Sequence, residues 1–224
     1  WRRLIERIHA RFDVGPDAEI AVEMDPRGLS EDAIFALARA GVNRASIGVQ
    51  DFHPEVQKAI NRIQPFEVTE RVVGWLRRHG IAGINMDLMY GLPYQTTERV
   101  VETVEKAARM EPDRVALFGY AHVPWMKSHQ NLIKGETLPD FEQRWRQSEA
   151  AADRLVDLGY TRVGFDHFAR PGDPLAVARD EGRLHRNFQG YTTDTAPVLL
   201  GFGASAIGSL PQGYVQNTQR LRAY

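Results

Sequence analysis

Four positions in this chain set a polar group at or near the end of an apolar run. Glu23 lies in Glu19–Met24, Gln50 ends Ala45-Ser46-Ile47-Gly48-Val49, Asp87 lies in Gly83–Leu88, and Ala121-His122 follow Arg114–Phe118. Each run is short and apolar, the pattern of a buried strand. Two carboxylates, an amide and backbone groups make a set of acceptors and donors. Such a set suits ribose hydroxyls, an ammonium group or a carboxylate. Taken singly, Glu23 and Asp87 fit turn caps or arginine partners about as well; four such positions in register favour a site. Arg62 ends the helical segment that leaves Gln50 and could reach an anionic group at the same edge. A solvated helix-terminal arginine is the plain alternative. Asp51 suits a helix N-cap, and Tyr90-Gly91-Leu92-Pro93 reads as a strand-to-helix loop.

A second set of charges lies in Asp166-His167-Phe168-Ala169-Arg170-Pro171 and in Leu184–Thr193. Arginine pairs bidentately with carboxylate, so Arg170 and Arg186 suggest a polycarboxylate substrate. His167 and His185 lack the i, i+3 or i+4 spacing of a metal pair, and no metal ligands are assigned. A polar surface loop explains both segments equally well from composition.

The elements that must position these residues alternate. A helix over residues 1–12, a strand to Met24, and a helix capped by Ser30 and closed by Gly41 come first. A strand over 44–49, helices over 53–61 and 66–79, a strand over 83–88, a helix over 97–110 and a strand over 114–118 follow. A further helix over 141–158 precedes Val163-Gly164-Phe165, in the place of the next strand. Strand alternating with helix predicts a parallel α/β sheet with right-handed crossovers. Ligands of such sheets bind at the carboxyl ends of the strands. A partial barrel and an open doubly wound sheet fit the pattern equally. From 166 onward the pattern turns irregular; Leu175–Glu181 suits a helix, the glycines of Leu199–Ser209 suggest close backbone approach, and Tyr224 falls in a continuing helical pattern. The expected division is therefore 1–165 and 166–224.

The 224 residues are 43% hydrophobic and 25% charged, enough for one sizeable core. A net charge of -1 gives no electrostatic case for nucleic acid or an anionic membrane. No apolar run approaches the roughly 20 residues of a membrane span, and no signal peptide is visible, so a cytoplasmic location is expected. Trp1 reads as the middle of a longer polypeptide. There is no cysteine, so disulfides and thiolate ligands are excluded from this chain.

Several motifs stand in order: Glu-Met-Asp-Pro-Arg from Glu23, Ser-Ile-Gly-Val-Gln-Asp-Phe from Ser46, and Asn-Met-Asp-Leu-Met-Tyr-Gly-Leu-Pro-Tyr-Gln-Thr from Asn85. Asp-His-Phe-Ala-Arg-Pro from Asp166 and His-Arg-Asn-Phe-Gln-Gly-Tyr-Thr-Thr from His185 complete them. Together they resemble the oxygen-independent coproporphyrinogen III oxidases of the radical S-adenosylmethionine (radical SAM) superfamily, over essentially the whole chain. The resemblance implies a partial barrel of six strands, a 4Fe-4S cluster and two bound S-adenosylmethionine molecules. It also implies a 5′-deoxyadenosyl radical that starts the oxidative decarboxylation of two propionates of a porphyrinogen to vinyl groups, in haem biosynthesis. Glu23 and Ile207 would contact the cluster-bound S-adenosylmethionine, and Gln50, Arg62, Asp87 and Ala121 the second. An electron donor such as a flavodoxin-type protein is implied as a partner. The family's Cys-x3-Cys-x2-Cys motif is missing, as are its Gly-Gly-Thr-Pro segment, the first two barrel strands and the carboxyl-terminal helical domain. The chain is therefore expected to be a central piece that neither binds the cluster nor reacts alone, with an exposed edge and apolar surface. A haem-binding chaperone of the same superfamily is the alternative, disfavoured by the segment from His185. A barrel enzyme using Glu23 and Asp87 as an acid/base pair and a naturally cysteine-free relative without redox role are the others.

Overall fold

A computed structural model of the chain describes residues 1–187 and 189–224. Phe188, part of the motif from His185, lies outside the described residues. Two compact units are present, Trp1–Val177 and Ala178–Tyr224.

The first unit opens with α1 (Arg2–His9), whose residues are not buried. β1 (Ala21–Met24), α2 (Glu31–Arg39), β2 (Arg44–Gln50), α3 (Pro54–Ala59) and α4 (Phe66–Arg78) follow. Then come β3 (Gly83–Tyr90), α5 (Thr97–Arg109), β4 (Arg114–Gly119), α6 (Phe141–Asp157), β5 (Thr161–Val163) and β6 (His167–Ala169). α7 (Pro174–Asp180) runs across the division between the units. The helix starts follow their local chemistry. Ser30 Oγ accepts the Ala33 N–H at 3.2 Å, and Asp140 and Gln143 form a reciprocal capping box on α6.

β1, β2, β3 and β4 are parallel and adjacent in chain order, as the alternation predicts. The next strand departs from that pattern. The run at Val163 does not pair beside β4 as a further parallel strand. It ends at Val163, the chain reverses near Gly164 (φ 64°), and β6 returns antiparallel to both β5 and β4. The sheet order is therefore β1-β2-β3-β4-β6-β5. Three residues flanked by Asp, Arg and Pro carry too little pattern to read as a strand, yet Phe168 and Ala169 are buried in the sheet.

The sheet has two unlike faces, because side chains alternate along each strand. Ala45, Ile47 and Val49 of β2 and Ile84, Met86 and Leu88 of β3 are buried in one hydrophobic core with residues of α2, α4, α5 and α6. Burying a side chain of the size of Ile, Val, Leu or Met contributes about 1.5–3 kcal/mol. The other face carries Arg44, Ser46, Gly48 and Gln50 on β2 and Asn85 and Asp87 on β3. At the amino ends of the strands its charges are paired. Arg44 Nε donates to Glu19 at 2.7 Å and its Nη1 to Asn85 Oδ1 at 3.0 Å. Arg114 Nε lies 2.8 and 2.9 Å from the two oxygens of Asp173, which also accepts the Leu175 N–H at 2.8 Å.

The second unit holds two antiparallel hairpins, β7 (His185–Asn187) with β8 (Gly190–Thr192), and β9 (Ile207–Leu210) with β10 (Gly213–Gln216). The close approach read from its glycines is to its own backbone. A Cβ on Gly201 would stand 2.8 Å from the Ile207 carbonyl carbon. Residues 221–223 form a turn rather than the helix suggested by the sequence.

Candidate functional site

The parallel register sets the site. Glu23 pairs with Ser46, Gly48 with Asp87, and Asp87 with Ala116, so Glu23 and Asp87 share the polar face near the carboxyl ends of the strands. Burial pushes the Asp87 carboxyl up to about 6, and the Glu23 charge pushes it the same way; His167 and the Ser46 hydroxyl pull it down. Ser46 Oγ lies 3.4 Å from Asp87 Oδ2. Among the described residues Glu23 has no ion-pair partner, so two carboxylates face each other here without a fixed cation between them.

Gln50 ends β2 in the left-handed region (φ 69°), where the β2–β3 register slips between Gly48 and Gln50. A glutamine there is strained by about 1–3 kcal/mol, a cost held by its surroundings. Those surroundings are close. A Cβ on Gly48 would stand 3.2 Å from both Arg62 Nη2 and Gln50 Nε2. Arg62 reaches back from beyond α3 to the edge, donating to the Gly48 carbonyl at 2.8 Å and to Asp25 Oδ2 at 3.1 Å. Its Nε is buried without a hydrogen-bond partner among the described residues. Asp25 is held down to about 2, chiefly by the Arg27 side chain, with Arg62 adding to it. Gln64 also donates to the Gly48 carbonyl, at 3.1 Å.

Asp51 is not the α3 N-cap; that position is His53. The Asp51 carboxylate is 1% exposed and accepts the His53 N–H at 2.5 Å and Gln95 Nε2 at 2.6 Å. Burial pushes it above the usual carboxylate range, against the pull of those donors. Gln95 also donates to the Met89 carbonyl at 2.8 Å and accepts the Leu92 N–H at 2.7 Å. Gln147 of α6 donates to the Gln95 carbonyl at 3.0 Å and accepts the Gly91 N–H at 2.9 Å. This buried relay fixes the loop that leaves β3. Ala121 follows β4, and its carbonyl accepts Gln130 Nε2 at 3.1 Å while Gln130 Oε1 accepts the Val123 N–H at 2.5 Å. The sequence signal for the relay is weak: three buried polar residues, far apart, in three different segments.

Glu23, Gln50, Arg62 and Asp87 thus gather at one edge, with Ala121 on the loop after β4. Arg170 lies elsewhere. β6 runs antiparallel, so Arg170 falls at the amino end of β4, where its Nε donates to the Pro112 carbonyl at 3.3 Å and its guanidinium covers the Tyr160 ring at 5.5 Å. In the second unit, Arg186 stacks on Tyr191 at 5.5 Å. A cavity of about 250 Å³ is lined there by residues including Arg186, Asp194 and Ser209. Ile207 begins β9 and pairs with Gln216.

A small-residue floor, a left-handed glutamine, a buried guanidinium nitrogen and an unpaired carboxylate fit a polar ligand with hydroxyl and ammonium groups. The same residues do not fit an iron-sulfur cluster. The chain has no cysteine, and among the described residues no group of three or more His, Asp or Glu could hold a metal. Among them also, no helix is long and apolar enough to cross a membrane.

The family model of the radical SAM superfamily matches residues 1–107. The sequence is similar along its whole length to oxygen-independent coproporphyrinogen III oxidases. It is 57% identical over 224 residues to the protein of that name from Bradyrhizobium diazoefficiens, covering 100% of this chain and 50% of that one. It is 54% identical over 213 residues to the one from Paracoccus denitrificans, covering 95% and 47%. The solved coproporphyrinogen III oxidase of Escherichia coli, described as a radical SAM enzyme, superposes with a TM-score of 0.95 at 43% identity, covering 99% of this chain and 51% of that one. The chain spans about half the length of the curated relatives it matches.

Proposed function

We propose that the polypeptide containing this chain is an oxygen-independent coproporphyrinogen III oxidase, which turns two propionates of coproporphyrinogen III into vinyl groups with loss of carbon dioxide. The observation that carries this reading is 57% identity across all 224 residues to a relative of that name. The strand-edge set agrees with it independently. In this reading Gln50, Arg62, Asp87 and Ala121 hold one S-adenosylmethionine, and Glu23 and Ile207 a second. When bound and reduced by one electron, S-adenosylmethionine would supply a radical able to take a hydrogen atom from the propionate β-carbon; loss of carbon dioxide and of one electron to an acceptor would then leave the vinyl group.

The chain's own residues have separable tasks. Asp87 accepts from hydroxyl or ammonium groups and is ionised above about pH 6. Arg62 is held by Asp25 and the Gly48 carbonyl and closes one side of the edge. Gly48 lets the Arg62 and Gln50 side chains close over the backbone of β2. The Asp51–Gln95–Gln147 relay keeps the loop after β3 in place. By charge, Arg186 and Arg170 remain partners for propionates in this reading, although Arg170 sits at the amino end of the strands. An electron donor of the flavodoxin type and a cytoplasmic location complete it.

The test uses the full-length polypeptide, reconstituted anaerobically with iron and sulfide and given a reductant, S-adenosylmethionine and coproporphyrinogen III. Formation of protoporphyrinogen IX with two equivalents of carbon dioxide is the expected result. Tight haem binding with no turnover would overturn it and move the protein to the chaperone reading.

A further inference from the structure

The start of α6 lies against the carboxyl ends of β3 and β4, and Arg144 makes the contact. A Cβ on Gly91 would stand 3.2 Å from Arg144 Nε. A Cβ on Gly119 would stand 2.9 Å from the Tyr90 hydroxyl oxygen and 3.4 Å from Arg144 Nη2. The guanidinium therefore rests on two stretches of backbone that glycine leaves open. Gly91 is itself fixed, its N–H donating to Gln147 Oε1 at 2.9 Å. Yet the protein does not use the charge. Among the described residues the Arg144 side chain has no ion pair and no hydrogen bond, and the Tyr90 hydroxyl has no hydrogen bond. The acids beside Arg144 in sequence are engaged: Asp140 caps α6, and Glu142 pairs with Arg146. Arg144 also stands in the first turn of α6, where the macrodipole disfavours a cation, so it does not serve the helix.

The guanidinium lines a cavity of about 490 Å³ with Tyr90, Pro139, Phe141, Trp145 and Ser148. Aromatic walls with few polar groups, at this volume, are those of a small-molecule site. Phe141 and Trp145 stand one turn apart on α6 and are 84% and 61% exposed, so a flat apolar ring can cover both. A permanently charged fork beside aromatic surface selects a carboxylate carried on a ring. We propose that Arg144 and the Tyr90 hydroxyl hold one carboxylate of the substrate, and that the pyrrole ring bearing it packs on Phe141 and Trp145. Tyr90 shares the parity of Ile84, Met86 and Leu88 and packs against the same core, so this cavity lies on the helix-covered side of the sheet, opposite Asp87. The two faces meet at the strand ends. A macrocycle with four propionates can lie across that rim, one carboxylate on Arg144 and another ring over the polar face. Arg144 then selects the substrate without touching the residues that hold S-adenosylmethionine. The inference rests on the reading of a porphyrinogen with carboxylate side chains as substrate.

The experiment measures equilibrium binding to the full-length, cofactor-loaded protein. The probes are coproporphyrin III and its uncharged tetraamide, by fluorescence, and S-adenosylmethionine, by equilibrium dialysis. In R144Q the affinity for coproporphyrin III is expected to fall about tenfold, with tetraamide and S-adenosylmethionine affinities unchanged. R144K, which keeps the charge and loses the fork, is expected to lower it about threefold and serves if R144Q does not fold. R146Q removes the same charge from the solvent side of α6 and is expected to change none of the three affinities. W145A is expected to weaken the acid and the tetraamide alike, by about threefold. Unchanged coproporphyrin III affinity in the Arg144 variant that folds, equal loss there for the acid and the tetraamide, a matching loss in R146Q, or no loss in W145A overturns the proposal and leaves the oxidase reading intact. No coproporphyrin III binding by the unsubstituted protein overturns both.

Discussion

The polar face of one sheet carries charge at both ends of its strands, and the two ends treat it differently. At the amino end every charge named has a partner: Arg44 with Glu19, Arg114 with Asp173 through two oxygens, and Asp173 also at the start of α7. At the carboxyl end Glu23 and Asp87 face each other, Gln50 is strained, and an Arg62 nitrogen is buried without a partner among the described residues. The first arrangement is complete within the protein and works as a plug. The second leaves bonding capacity for something that is not protein. Charged residues on a sheet face therefore mark a site only where their mutual pairing is incomplete.

That contrast can be broken most strongly at the plug. D173A in the full-length protein leaves Arg114 buried and unpaired, and a loss of about 3–5 kcal/mol in unfolding free energy is expected. Chemical denaturation measures it; S-adenosylmethionine affinity of the remaining folded protein should not change. D87N tests the opposite end through pH. A carboxyl raised from 3.8 to about 6 in the folded state favours folding below 3.8, and that contribution is lost as pH rises through about 6. The wild type should therefore lose up to about 3 kcal/mol relative to D87N between pH 3.5 and pH 7. Parallel unfolding curves at the two pH values would remove Asp87 as a raised carboxylate. At the same time D87N should weaken S-adenosylmethionine binding at pH 7.5 by about tenfold, measured by equilibrium dialysis. Q50G relieves the left-handed strain and should raise stability by about 1 kcal/mol while lowering S-adenosylmethionine affinity, a trade read from the same two measurements. S30A touches neither end; it removes the α2 cap and should cost about 1 kcal/mol with no change in affinity.

What the sequence revealed of this site follows from what strands encode. Glu23, Gln50 and Asp87 were legible because each ends or nearly ends an apolar run, and the chain order of β1 to β4 follows from the alternation. Arg62 was legible because a short helix returns it to the strand it left. The αL turn at Gln50 was not, since glutamine carries no preference for it. Nor was the relay from Asp51 through Gln95 to Gln147, whose members lie 44 and 52 residues apart along the chain. From the sequence His167 reads as a charge in a loop; its place on the sheet depends on a three-residue strand paired with β4. Ile207 came from resemblance alone, because nothing local distinguishes it from other apolar residues in a glycine-rich stretch.

The reversed strand β6 also sets a schedule for synthesis. β2, β3 and β4 each dock beside a strand already made, so the sheet can grow as the polypeptide leaves the ribosome. The outer edge of β4 cannot be covered in that order, because Arg114 pairs with Ala169 and the whole of α6 must be translated in between. At about 5–20 residues per second this edge waits several seconds. During that interval Val115 and Leu117 sit beside unpaired backbone groups, which leaves the β4 edge open to chaperones in the nascent first unit.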